Sequence, residues 1–429
     1  MNNKENIFQN KHNSDWKYLP MNILGETFGG LSGKTKDNFN NGNKKYISYK
    51  RIFQNALMTS NDFERVSISK DEKQNTVIYG DCLFTTSSET PDEVAMSSVF
   101  LIDSSEEFYL NSFSFGYRFN DLTDINPKFY GYYFRGPQFR KETYKFAQGS
   151  TRYNISKNKL TEVSIPIPPL NEQQKIAEIL STIDEQIDQT SQLIEKTKEL
   201  KKGLMQQLLT KGIGHTDFKQ SELGGIPLNW NVEELDRMGV WYGGGTPSKR
   251  NPKNWSNKKE IFWITSKDMH TNKIQESELS ITKLGLLEKN LKLLPINTLI
   301  FVMRSGILRN YVPVAITNVP VTINQDQKAL VCNKGICAQF ILYTIQNYNQ
   351  FIKNTYVKTG TTVESIDFSG FKQYKIALPP LEEQKKIAAI LLSVDEDIEG
   401  YEQEKAKYEE LKKGLMQQLL TGNKRVKVD

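Results

Sequence analysis

The sequence predicts an α+β protein: two mixed α/β globules joined by two long antiparallel coiled-coil helices, with an internal pseudo-twofold repeat. Three observations carry this. Residues 168–210, PPLNEQQKIAEILSTIDEQIDQTSQLIEKTKELKKGLMQQLLT, recur as residues 379–421, PPLEEQKKIAAILLSVDEDIEGYEQEKAKYEELKKGLMQQLLT; at a constant offset of 211, 27 of 43 positions are identical without a gap. Both copies keep a heptad spacing of apolar residues. A segment of ordinary globular composition precedes each copy, and an internal repeat of this kind fixes the architecture before any local assignment.

Each copy reads as one amphipathic helix. In the first, Ile176, Leu180, Ile183, Ile187 and Ile194 fall at four- and three-residue steps with Thr190 in the polar slot, and the stripe resumes at Leu204 and Leu208. In the second, Ile387, Leu391, Val394, Ile398, Tyr401, Tyr408, Leu415 and Leu419 take the equivalent places. Pro168-Pro169 and Pro379-Pro380 mark the starts, Asn171 with Gln174 suggests a capping box, and Gly212 and Gly422 mark the stops. Roughly 38 residues at about 1.5 Å each make a rod of about 55 Å.

Chain direction limits the topology. The first helix leaves the first globule and delivers the chain to the second; a short connection then requires the second helix to run back. The expected shape is a dumbbell with a fixed spacing. The expected domains are 1–167 (first globule), 168–212 (first spacer helix), 213–378 (second globule), 379–422 (second spacer helix) and 423–429 (a basic, solvated tail).

Within the globules the elements read as short and mixed. Residues 1–14 form a polar lead-in, and Trp16 opens the first globule as Trp230 opens the second. Segments 80–86 and 296–304 read as strands after turns, and 129–146 and 338–356 as aromatic-rich helices. Gly149-Ser150-Thr151 aligns with Gly360-Thr361-Thr362, after which both copies run through a β-like stretch into the long helix.

The 429 residues suffice for two or three cores, and 38% hydrophobic with 11% aromatic residues describes ordinary globules. The net charge of +6 is mildly basic and suits a nucleic-acid partner. The polar N-terminal stretch shows no apolar signal region, no apolar run approaches the roughly 18 residues of a membrane span, and a cytoplasmic location is expected without a membrane partner. Cys82, Cys332 and Cys337 and the three histidines are scattered, so no metal site is expected.

Gly29-Gly30-Leu31-Ser32-Gly33-Lys34-Thr35 resembles a phosphate loop but has three residues between its outer glycines where four are needed. Its counterpart, Gly243-Gly244-Gly245-Thr246-Pro247-Ser248-Lys249-Arg250, has no such character. Both read as glycine-rich basic loops that allow close backbone approach and phosphate neutralisation. No methyltransferase, nuclease, nucleophile-elbow or metalloprotease motif is present, so the chain is expected to be non-catalytic, with no cofactor of its own.

Basic residues interleaved with Tyr, Phe and Asn occur in both globules, the mixture that phosphate and base-edge contacts use. The candidate DNA-binding residues in the first are Lys34, Lys36, Lys50, Arg51, Arg140, Lys145 and Arg152. In the second they are Thr246, Lys249, Arg250, Lys267, Arg304, Arg309 and Lys358.

Pro-Pro-Leu-x-Glu-Gln-x-x-Ile-Ala ahead of each heptad helix, with Gly-Ser-Thr and Gly-Thr-Thr upstream and GGGTPS in the second globule, resembles the specificity (S) subunit of type I restriction–modification systems. The resemblance covers nearly the whole chain. It implies two target recognition domains, each reading one half of a split double-stranded DNA sequence. It also implies that the paired helices hold the halves apart and bind two methyltransferase (M) subunits, which use S-adenosylmethionine. Restriction (R) subunits, using ATP and Mg, can join. The first globule departs from GGGTPS, having GGLSGK, which puts base contacts by Lys34 and Thr35 in doubt. The alternative reading is a coiled-coil scaffold whose globules bind protein.

Overall fold

A computed structural model describes residues 16–60, 62–360 and 362–427. The lead-in expected over 1–14, Thr361 of the repeated Gly-Thr-Thr and the last two tail residues lie outside them. The chain folds into two units, Met1–Ser191 with Gln403–Asp429, and Gln192–Glu402. Each unit therefore combines one globule with the first half of one long helix and the second half of the other.

The long helices span Leu170–Lys211 and Leu381–Leu419. Both begin directly after a Pro-Pro pair, where the missing N–H groups cost nothing. Gly212 (φ 66°) and Gly422 (φ 71°) take the left-handed conformation that ends a helix. The capping box expected of Asn171 and Gln174 does not form. Asn171 bonds its neighbour, the Glu172 N–H, and Gln174 points to solvent, because the buried first-turn side chain is Gln173.

In the first unit Ile176, Leu180, Ile183 and Leu419 are buried and Leu415 is partly so. In the second, Leu208, Ile387, Leu391 and Val394 are buried and Leu204 is partly so; Ile187 and Ile398 are half-buried. The heptad steps continue through two positions the apolar pattern skips, Lys201 and Lys412, whose side chains are only 17% and 25% exposed.

The globules share one topology. Each opens on a tryptophan and a short strand, Lys17–Pro20 or Asn231–Glu234, paired antiparallel with the strand that runs into the long helix, Ser164–Ile167 or Lys375–Leu378. A five-stranded sheet follows in each. From one edge inward its strands in the first unit are Gly25–Gly29, Ser114–Phe119 and Cys82–Thr85; in the second they are Gly239–Gly243, Gln327–Cys332 and Leu299–Val302. A second, smaller sheet is built on one parallel pair, Phe39–Ile47 with Phe108–Leu110 in the first unit and Ile261–Ile264 with Val321–Ile323 in the second.

The aromatic helices expected over 129–146 and 338–356 are each broken in two. Pro127–Tyr133 and Pro137–Tyr144 divide before Pro137, whose ring and missing N–H forbid a continuous ladder. Ala338–Asn347 and Asn349–Tyr356 divide at Tyr348, where the Asn349 side chain is drawn off to the Val312 backbone. The first member of each pair packs its aromatic face into the unit's main core.

Candidate nucleic-acid interface

The repeated Pro-Pro-Leu-x-Glu-Gln motif seats each helix on its globule. Gln173 donates to the Pro168 and Asp124 carbonyls at 2.8 Å and accepts from the Asn126 N–H, so it ties the helix start to the turn before the aromatic helix. Gln384 repeats this with the Pro379 carbonyl (2.8 Å), the Gly335 carbonyl and the Cys337 N–H. Glu172 accepts the Trp16 indole N–H at 3.0 Å, and Arg425 clamps both its oxygens at 2.7 and 2.8 Å. Glu383 accepts from Trp230 at 3.1 Å and faces His215 Nε2 at 2.7 Å. His215 and Arg425 each lie three residues past the glycine that ends a helix. The tail is therefore not merely solvated: Arg425 is folded against Trp16.

Burial opposes ionisation of Glu172, but Arg425, Trp16 and the Val426 N–H together hold its carboxyl below the usual range.

The glycine-rich loops meet the small sheet in the same way in both units. The Leu31 N–H donates to the Leu110 carbonyl at 2.7 Å, and the Gly245 N–H to the Ile323 carbonyl at 3.0 Å. A Cβ on Gly30 would stand 1.9 Å from the Asn111 oxygen, and one on Gly244 would stand 2.1 Å from the Asn324 oxygen, so only glycine permits either approach. Asn111 and Asn324 close the frame. Each donates its N–H to the parallel strand (Ile47 or Ile264, both 3.1 Å) and bonds the N–H two residues on through its side chain.

This frame presents a surface. In the second unit it borders an open recess of about 710 Å³, lined among others by Thr246, Lys249, Trp263, Lys267, Lys289 and Gln325. The Trp263 indole N–H is fixed to the Gly245 carbonyl at 2.9 Å. Following the matched strands one residue at a time places Lys50 of the first unit where Lys267 stands in the second, and both are exposed.

A family model for the type I restriction modification DNA specificity domain matches residues 13–199 and 227–410. The chain belongs to this family. The chain is similar to the EcoR124I/EcoR124II specificity subunit of Escherichia coli, 34% identical over 258 residues, covering 58% of this chain and 60% of that relative. Over nearly its whole length the chain is similar to the putative MjaX specificity subunit of Methanocaldococcus jannaschii, 29% identical over 96% of this chain and 94% of the relative. The fold is also that of a type I S subunit from M. genitalium (TM-score 0.58, 15% identity, covering 96% of this chain and 98% of that one).

Not every candidate side chain of the specificity domains faces outward. Lys34 turns in to Glu72 and the Ser67 carbonyl, both 2.6 Å, and holds the Glu72 carboxyl at about 2. Arg51 clamps the Ser60 and Asp62 carbonyls and lies over Phe63, while Arg140 donates to the Ala95 and Asp92 carbonyls. Burial lowers the Arg140 guanidinium from its ordinary value, and it lowers neighbouring Arg135 to about 10. These charges organise loops: Lys34, Arg51 and Arg140 are engaged by groups of the protein itself.

Lys145 pairs with Glu142 and Lys358 with Asp367 on the surface, and exposed Arg309 reaches the buried Glu364. Thr246 donates to the Gln325 amide oxygen. Lys36, Lys50, Arg152, Lys249, Arg250, Lys267 and Arg304 are exposed. The sequence reading missed Gln325 and Lys289; both sit in loops with no periodic signal, and only the strand frame brings them to the recess.

Proposed function

We propose that this specificity subunit selects a bipartite, asymmetric double-stranded DNA sequence, one half with each domain, and carries two methyltransferase subunits on its long helices. What supports divided recognition is the shared frame with unlike contents. Both domains hold a glycine loop, a parallel strand pair and an asparagine in one arrangement, yet the side chains beside it differ. Equal scaffolds with unequal contacts read unequal half-sites.

What supports docking is an identity that packing does not require. Residues 199–210 and 410–421 are the same twelve residues, ELKKGLMQQLLT. Buried Leu208 and Leu419 need this for their cores. Exposed Lys202, Gly203, Gln206 and Gln207, and exposed Lys413, Gln417 and Gln418, do not. A repeated outward face suits two copies of one partner. Chemistry is then the partners' part: S-adenosylmethionine binds the methyltransferase, ATP and Mg the restriction subunits, and this chain holds no cofactor.

DNA binding by the assembled complex tests the reading. Phosphate contacts give an affinity that falls steeply with salt; binding indifferent to salt, or none, returns the chain to a protein scaffold.

A further inference from the structure

Resting on the DNA-recognition reading, we propose that Gln325 is a base-reading residue of the second specificity domain and that Ser112 holds the same post in the first. The strand pairing fixes the correspondence: Leu110 matches Ile323 and Asn111 matches Asn324, so the next residues, Ser112 and Gln325, leave the frame at the same point. Both are exposed. The asparagine before each is not available for reading, since its side chain is used in its own turn.

Gln325 is pre-oriented. Its Oε1 accepts from Thr246, and its Nε2 lies 3.4 Å from an Asp326 carboxylate oxygen. An amide oxygen has two lone pairs and an amide nitrogen two hydrogens. One acceptor site and one N–H therefore remain, the pair of groups complementary to adenine N6–H and N7 in the major groove. Three lysines and one carboxylate, Glu278, line the recess around it, so a polyanion is drawn to the mouth where the amide waits. A serine at the equivalent point has one donor and a freely rotating hydroxyl, and is less selective among bases. The two half-sites should differ at the position this residue reads.

The test maps the methylated motif across the genome of the host carrying the full-length gene, as wild type and as Gln325→Ala, Gln325→Glu and Thr246→Val. Gln325→Ala should make one adenine-containing position of one half-site degenerate, cutting discrimination there by about 5- to 150-fold, with the other half intact. Gln325→Glu replaces the donor pair by an acceptor and should move that position towards cytosine, whose N4 amine donates. Thr246→Val should relax the same position less. An unchanged motif in both Gln325 variants would overturn the assignment while leaving the recognition reading standing. A wild-type gene that directs no split motif would instead remove that reading.

Discussion

The Tyr132 hydroxyl donates to Asp184 at 2.8 Å, and 211 residues later Tyr343 donates to Asp395 at the same distance. In each unit a lysine from the other long helix completes the group: Lys412 Nζ is 2.5 Å from Asp184 and Lys201 Nζ is 2.5 Å from Asp395. Each ammonium also lies over its tyrosine ring, at 5.6 and 5.4 Å. Burial, with the carboxylate beside it, pushes both phenols well above their ordinary range. One carboxylate thus joins the globule's aromatic helix to both long helices. Tyr132→Phe should cost about 1–3 kcal/mol and Asp184→Ala roughly 2–4 kcal/mol, because the alanine strands a buried hydroxyl and a lysine. Urea unfolding of the full chain measures both; two neutral results would make the group ornamental.

Acid should loosen the first unit through Glu172. Its folded carboxyl lies below the ordinary value of 4.5, so its contribution is complete above that pH and is lost as pH falls through the lower, folded value. Arg425→Ala should therefore destabilise most at neutral pH, with the difference from wild type shrinking on acidification. Thermal melts across pH 3–7 check this, and a pH-independent difference would contradict it.

Lysines facing outward and inward should behave differently. Lys50→Ala and Lys267→Ala should weaken DNA binding on all sequences and lower the slope of log affinity against log salt by about one each. Lys34→Ala should leave that slope unchanged and lower the melting temperature, since its ammonium already belongs to Glu72.

Helix glycines separate stability from docking. A Cβ on Gly203 or Gly414 meets nothing within 4 Å. Alanine at either position should stabilise the helix by about 1 kcal/mol. If these open positions admit a closely approaching methyltransferase, the same changes should weaken co-purification of that subunit; stronger docking would place the interface elsewhere.

Much of the architecture was legible because a repeat leaves its mark twice. The Pro-Pro starts, the glycine stops and the heptad steps at Ile176, Leu180 and Ile183 all follow from local chemistry. The lysines at 201 and 412 were hidden because a charged residue in an apolar stripe reads as an interruption, and its carboxylate partner is distant in sequence. Gln173 was passed over for Gln174 because sequence spacing does not show which side of the first turn faces the globule. Candidate charges were harder still. Arg140 and Lys50 look alike in sequence, and only tertiary folding turns one inward to the Ala95 carbonyl and leaves the other in solvent. Helix breaks at Pro137 were readable, whereas the one at Tyr348 depends on Val312 across the fold.

The most direct measurement maps DNA methylation across the host genome with this gene present, deleted, and carrying a foreign globule in place of residues 213–378. A split motif that vanishes on deletion, with only one half replaced in the chimaera, is the expected result. A motif that survives deletion, or a chimaera that alters both halves, would contradict it.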